Sequence, residues 1–141
     1  MRMMQKRNTK YSRKREAIRK LLLSTKAHPS AEQIYSDLKN EIPDLSLATV
    51  YRNLREMKES GEIQLVAVVD GKERYDGVAE RHTHFICDEC GRIDDIDFGI
   101  EEQKIDKLAA ELSLGEIEYH TLCFHGQCRG CKDKLAAHSA Q

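Results

Sequence analysis

Residues 46–61 read SLATVYRNLREMKESG, and this stretch decides the architecture of the N-terminal half. Ser46 is of the type that caps a helix N-terminus, and Leu47, Val50, Leu54 and Met57 recur at helical spacing as one apolar stripe. Gly61 stands just past the end, where a left-handed residue is easiest. Between the apolar positions lie Thr49, Tyr51, Arg52 and Arg55, whose side chains can serve phosphates and base edges as the stripe cannot.

Towards the N-terminus, Pro29-Ser30-Ala31-Glu32-Gln33 places Gln three residues after Ser, a capping box that predicts a second helix through Ile34 and Leu38, ended by Pro43. Residues 12–24 predict a first helix, with Ile18, Leu21 and Leu22 on one face and Arg13, Lys14, Arg15, Arg19 and Lys20 on another. Towards the C-terminus, residues 63–69 are β-branched and apolar, and Asp70-Gly71 supplies a tight turn into residues 72–76. Three helices and a hairpin are the order of a winged helix-turn-helix, whose third helix enters the major groove of DNA. The candidate DNA contacts are Arg15, Ser46, Ala48, Thr49, Tyr51, Arg52 and Arg55. A basic helix face alone is weak ground, since many small helical domains carry one.

Charge sharpens the picture. The net charge of -1 conceals a division, for residues 1–65 hold 14 Lys/Arg against 8 Asp/Glu and the remainder 9 against 16. A basic half joined to an acidic half bearing His and Cys suggests a polyanion-binding module attached to a cation-binding one. No apolar run approaches the ~18 residues of a membrane span, and the basic first twenty residues lack the apolar core of a signal peptide, so the cytoplasm is the expected compartment.

After Gly77 the composition shifts, which sets expected domains at residues 1–77 and 78–141. In the second, residues 82–86, 92–98 and 116–124 read as strands, residues 100–112 as a helix, and residues 132–141 as a loose polar tail. The fold class expected is α+β: a winged helix-turn-helix followed by a small α/β domain.

Cys87, Cys90, Cys128 and Cys131 form two Cys-x-x-Cys knuckles, each a tight turn that lets two thiolates converge on one metal. The 37 residues between Cys90 and Cys128 exceed the usual gap, but a strand, a helix and a returning strand can close it. Four thiolates leave no open position for water, so a Zn²⁺ held there is structural. A thioredoxin-like redox pair is the rival, and it ordinarily needs one such motif, not two that match. Cys123, left over on an expected strand, reads as a buried small apolar residue. His28, Asp76, His82, His84 and Asp95 are candidate ligands of a second metal; their mixed nitrogen and oxygen donors suit Fe²⁺ or Mn²⁺ better than tetrahedral Zn²⁺. Of these, only the His82-Thr83-His84 pair, two apart on one strand face, carries weight unaided.

Ala27-His28-Pro29-Ser30-Ala31-Glu32-Gln33-Ile34-Tyr35, Leu47-Ala48-Thr49-Val50-Tyr51-Arg52-Asn53-Leu54, Arg74-Tyr75-Asp76, His82-Thr83-His84-Phe85-Ile86-Cys87 and the two knuckles stand in the order and approximate spacing of a known family. Over nearly its whole length the chain resembles the ferric uptake regulators. The resemblance implies a homodimeric, non-enzymatic DNA-binding repressor with a C-terminal dimerisation domain, a four-cysteine zinc and a sensing metal between domains. By that matching His28 comes from the DNA-binding half, and Asp76, His82, His84 and Asp95 from the hinge and dimerisation half. Two copies about a two-fold axis would read a pseudo-palindrome in double-stranded DNA.

Asp95 stands where iron sensors of the family typically carry Glu and peroxide sensors Asp. Arg81, Thr83 and Gln127 stand where many iron sensors have auxiliary His, Asp and His. Both features resemble the peroxide-responsive branch, in which Fe²⁺ and H₂O₂ oxidise a ligand histidine, here His28 or His82. Arg52 departs from it, because peroxide regulators often have Asn there. Ser12-Arg13-Lys14-Arg15 also replaces the common Thr-Pro-Gln-Arg. An iron- or manganese-responsive repressor is the alternative, a zinc-responsive one less so. Outside the class, a zinc-ribbon metalloenzyme using the His/Asp cluster is the rival, although five ligands leave little room for substrate.

Overall fold

The computed structural model describes residues 9–80, 82–97, 102–113 and 115–139. Helices α1 (Thr9–Ser24), α2 (Ala31–Leu38) and α3 (Leu47–Glu59) precede a hairpin of β1 (Gln64–Val69) and β2 (Lys72–Asp76). Ser30 caps α2 by accepting from the Gln33 amide at 3.3 Å, and Ser46 caps α3 by accepting from the Thr49 amide at 3.1 Å. The Gln33 side-chain amide donates to Asp37 one turn on, at 3.4 Å. Apolar faces of the three helices close over Ile18, Leu22, Ile34, Val50, Leu54 and Met57, with Tyr75 of β2 sealing the cluster. Each such side chain contributes about 1.5–3 kcal/mol on burial.

Two element bounds differ from expectation. Helix α1 begins three residues earlier than position 12, and α2 stops at Leu38, well before Pro43. The Leu38 carbonyl accepts the amides of Glu41 at 3.1 Å and Ile42 at 2.9 Å, so the chain has already turned before the proline. Asp70 and Gly71 both have positive φ, +51° and +74°, the pairing that a two-residue hairpin turn requires. Immediately after β2, a Cβ on Gly77 would meet the Leu22 carbonyl carbon at 2.8 Å, so only glycine lets α1 approach this closely.

By its contacts the chain divides into two units, Met1–Ala79 and Glu80–Gln141. The second is built on a sheet ordered β4-β3-β5, from β3 (Thr83–Cys87), β4 (Ile93–Ile96) and β5 (Cys123–Gly126). Strands β3 and β4 are antiparallel with His84 opposite Asp95, and β5 returns parallel to β3 with Gly126 opposite Cys87. Helix α4 (Glu102–Leu112) lies between β4 and β5 in sequence, and α5 (Arg129–Ser139) follows.

Here the expectations needed more correction. The third strand occupies only residues 123–126 of the described structure, not 116–124, because pairing with β3 starts at Cys123. The polar tail is largely helical: α5 starts inside the second knuckle, and the Lys132 amide donates to the Cys128 carbonyl at 3.0 Å. Phe98, Ile100 and Arg81 lie outside the described residues. No described helix is long and apolar enough to cross a membrane.

Candidate metal centres and nucleic-acid interface

The four cysteines of the two knuckles converge. Cys87 ends β3 fully buried, and Gly91, at φ +75°, lets the following turn close with its amide on the Cys87 carbonyl at 2.9 Å. The Asp88 amide donates to the Gly126 carbonyl at 2.8 Å, tying this turn to the end of β5 and so to the second knuckle. Sulfur separations are 3.8 Å for Cys87 to Cys131 and 3.8 Å for Cys90 to Cys128, and all four Sγ atoms lie within 4.8 Å of one another. A regular tetrahedron with ~2.3 Å metal–sulfur arms has edges of about 3.8 Å, whereas a disulfide needs about 2.05 Å. The spacing is therefore that of a shared cation.

Electrostatics agree. Backbone amides of Cys90 and Cys128 pull the Cys87 thiol down to about 6, while hydrogen bonding to Cys128, then burial and hydrogen bonds to Cys90 and Cys87, push Cys131 up to about 12. One thiolate forms readily and the last resists, a mismatch that a divalent cation removes. The redox-pair reading does not fit this geometry, because all four sulfurs of the two knuckles lie within 4.8 Å of one another and neither pair stands alone. Cys123 is half-buried on β5, away from this cluster, and burial raises its thiol, which disfavours the reactive thiolate.

The nitrogen and oxygen candidates come from both units, His28 and Asp76 from the first and His82, His84 and Asp95 from the second. In the first, His28 and Asp76 are buried, at 2 % and 4 % exposure, with His28 Nδ1 3.5 Å from Asp76 Oδ2. The Val78 amide donates to Asp76 Oδ1 at 2.8 Å and orients that carboxylate. In the second unit, Asp95 Oδ1 lies 3.1 Å from His82 Nε2 and 3.3 Å from His84 Nε2. The two rings are 4.3 Å apart at their centroids. His82 itself precedes β3, yet its ring still stands with that of His84. Its Nδ1 is 2.9 Å from the Glu80 carbonyl; a proton held there leaves Nε2 with a lone pair for a cation. Each unit thus offers imidazole nitrogen with carboxylate oxygen, the donor set that suits Fe²⁺ or Mn²⁺.

On α3, Ala48, Tyr51, Arg52 and Arg55 are exposed and line a groove of about 540 Å³ together with Lys58, Glu73 and Tyr75. The Ser46 and Thr49 hydroxyls are 2.8 Å apart at the helix start, so both serve the cap. Arg15 pairs with Glu62 at 2.6 Å and Glu56 at 3.6 Å, holding α1 to the C-terminal end of α3. Sequence reasoning missed Glu32, whose carboxylate accepts the Tyr51 phenol at 2.5 Å, and Arg74, which donates to the carbonyls of Ala27 and His28. Both residues stand in stretches that carry the family resemblance, but their contacts bridge positions far apart in the chain and no local spacing announces the partners.

The family model described as "Ferric uptake regulator family" matches residues 6–124. The chain is 38 % identical over 121 residues to the peroxide operon regulator of Bacillus subtilis, covering 85 % of this chain and 82 % of that protein. It is 34 % identical over 120 residues to the peroxide-responsive repressor of Staphylococcus aureus, covering 85 % and 80 %. Its fold is similar to the crystal structure of the Campylobacter jejuni peroxide stress regulator, with a TM-score of 0.79 at 29 % identity over 92 % of this chain and 96 % of that one. Members of this family are DNA-binding dimers, transcriptional regulators and not enzymes, which removes the metalloenzyme reading. The chain belongs to the ferric uptake regulator family.

Proposed function

We propose that this protein is a metal-dependent repressor of the peroxide-responsive kind, acting in the cytoplasm as a homodimer on a pseudo-palindromic operator. The observation that carries the reading is Asp95, whose carboxylate receives His82 and His84 within 3.3 Å, in a chain whose relatives include peroxide regulators. Cys87, Cys90, Cys128 and Cys131 would hold structural Zn²⁺, and His28, Asp76, His82, His84 and Asp95 the regulatory Fe²⁺ or Mn²⁺. When bound, Fe²⁺ would supply the electrons that cleave H₂O₂ next to the ligand imidazoles, a chemistry Mn²⁺ lacks.

The chain's own residues do the rest. His28 and His82 offer ring carbons for oxidation, and a ring that gains oxygen is a poorer nitrogen donor. A metal taking ligands from both units would stabilise only conformers in which those ligands are near one another, and the DNA-competent arrangement would be that conformer. Metal affinity and operator affinity are then reciprocally coupled. Thr49, Tyr51, Arg52 and Arg55 present hydroxyl, phenol and guanidinium groups to the groove, with Ser46 and Ala48 at the helix start and Arg15 on the flank. The second reading is a repressor responding to iron or manganese level; Arg52 bears on operator preference, where it departs from the peroxide-responsive branch.

Anaerobic loading with Fe²⁺, addition of H₂O₂ and mass spectrometry of the His28 and His82 peptides tests the proposal. Oxygen added to one of these histidines, with operator binding lost only in the Fe²⁺ form, is the expected result. Damage confined to cysteines, with zinc release and equal loss in the Mn²⁺ form, overturns it.

A further inference from the structure

Strand β2 holds the segment that carries His28 by three successive carbonyls. Arg74 donates from Nε to the His28 carbonyl and from Nη2 to the Ala27 carbonyl at 2.7 Å, and the Tyr75 amide donates to the Pro29 carbonyl at 3.1 Å. The segment needs such holding. His28 has φ +49°, a left-handed conformation that a residue with a Cβ keeps only where its surroundings over-determine it. Its imidazole is buried, so the backbone angle sets where the ring points. The ring points at Asp76, which lies two residues beyond Arg74 on the same strand and therefore on the same face. One strand face thus supplies both a carboxylate and the clamp on the backbone of the imidazole beside it.

We propose that Arg74 is a positioning residue for the regulatory metal: it fixes the left-handed His28 backbone against β2, sets Nδ1 of His28 beside Asp76, and so raises metal affinity without ligating. The inference rests on the reading of His28 and Asp76 as ligands. A guanidinium suits the task because its rigid planar fork reaches two carbonyls from one group. It has no lone pair to offer a cation and no accessible deprotonation to release the clamp. A lysine ammonium is a point donor and does not reproduce the fork.

The test uses the full chain with zinc in place and Co²⁺ as an anaerobic probe, comparing the parent with Arg74→Ala, Arg74→Lys and His28→Ala. Co²⁺ dissociation constant, visible absorption band, zinc content and cobalt-free thermal unfolding are all measured. Both Arg74 variants are expected to bind Co²⁺ about 10–100-fold more weakly, as when the groups that orient metal ligands are lost. Their absorption band should shift, with zinc content unchanged. If they bind within about twofold of the parent, with an unchanged band, the clamp is structural only and the proposal falls, however much thermal stability drops. If His28→Ala binds Co²⁺ as the parent does, the ligand reading itself is wrong and the Arg74 proposal falls with it. Should Arg74→Ala fail to fold, Arg74→Lys is judged by the same two criteria.

Discussion

The four-cysteine cluster and the imidazole–carboxylate set differ in where the fold finds their donors. All four thiols belong to the second unit and are fixed by backbone hydrogen bonds around β3, β5 and α5. The other set is divided, with His28 and Asp76 on the first unit and His82, His84 and Asp95 on the second. A cation held by a complete single-unit site can stabilise only that unit. In the proposed function, a cation that took donors from both units would report on their arrangement. Softness of the donors follows the same division: thiolates retain zinc, whereas nitrogen and oxygen donors exchange Fe²⁺ and Mn²⁺.

The largest expected effect breaks the single-unit site. Cys87→Ser, Cys90→Ser, Cys128→Ser or Cys131→Ser is expected to lose tightly held zinc and dimer stability, because apparent binding energies of structural zinc run to about 10–16 kcal/mol and become folding energy. Cys123→Ser is expected to keep both. Zinc content and size-exclusion profiles of the five variants check this, and equal zinc in all five would erase the contrast between the sites.

Mild EDTA then separates the sites in one sample. Operator binding is expected to vanish while zinc and dimer persist, and Mn²⁺ or Fe²⁺ should restore it. Replacing His28, Asp76, His82, His84 or Asp95 should mimic chelation. Asp95→Glu sharpens the point, since it is expected to reduce histidine oxidation under H₂O₂; an unchanged oxidation rate would remove Asp95 as the determinant of the branch. Loss of zinc together with operator binding at every EDTA dose would show that the two sites are not chemically distinct.

Arg52→Ala probes the DNA end of the coupling. It is expected to cost about 1–3 kcal/mol in operator binding if Arg52 contacts a base edge by both guanidinium arms. Zinc and Mn²⁺ content measured without DNA should not change. An unchanged operator affinity and salt slope would take α3 out of the groove.

Legibility in the sequence followed the range of the interactions. Helix α3 was readable from Ser46 to Gly61, and the hairpin from Asp70-Gly71, because caps and tight turns are made by neighbours. The Cys-x-x-Cys pairs were readable because each knuckle is local, although their convergence depended on β5 returning beside β3. The extent of β5 was not, since Ile117 and Tyr119 continue an alternating pattern with no strand pairing before Cys123. Nor was α5, whose exposed Leu135 and charged residues resemble a tail until Cys131 anchors its first turn. Arg74 with Ala27 and His28, and Tyr51 with Glu32, join residues 47, 46 and 19 positions apart, beyond the reach of any local pattern.

The smallest expected effect concerns Glu32 and Tyr51, a pair within the first unit that is independent of either metal. The phenol's hydrogen bond lowers the Glu32 carboxyl below its ordinary 4.5, and the same bond raises Tyr51 above 10.0. Glu32 therefore contributes stability above its unfolded value, lost as pH falls through its lowered folded value. Tyr51 contributes below its unfolded value, and that contribution is lost as pH rises through its raised folded value. The pair's contribution is thus level across neutral pH and declines at both extremes. Because both groups face solvent, about 0.5 kcal/mol is the scale, the low end for a hydrogen bond. Comparing the parent with Tyr51→Phe by urea unfolding at several pH values isolates the pair, since acid release of zinc affects both proteins alike. The stability difference should be constant near neutrality and shrink below the carboxyl range. For DNA the same pair sets two effects in opposition: Glu32→Gln removes a negative charge beside the recognition helix, which strengthens non-specific binding, but weakens the hold on Tyr51, which lowers discrimination between operator and random DNA. A rise in both affinities by the same factor would show that Glu32 acts only through its charge and that the Tyr51 contact has no part in recognition.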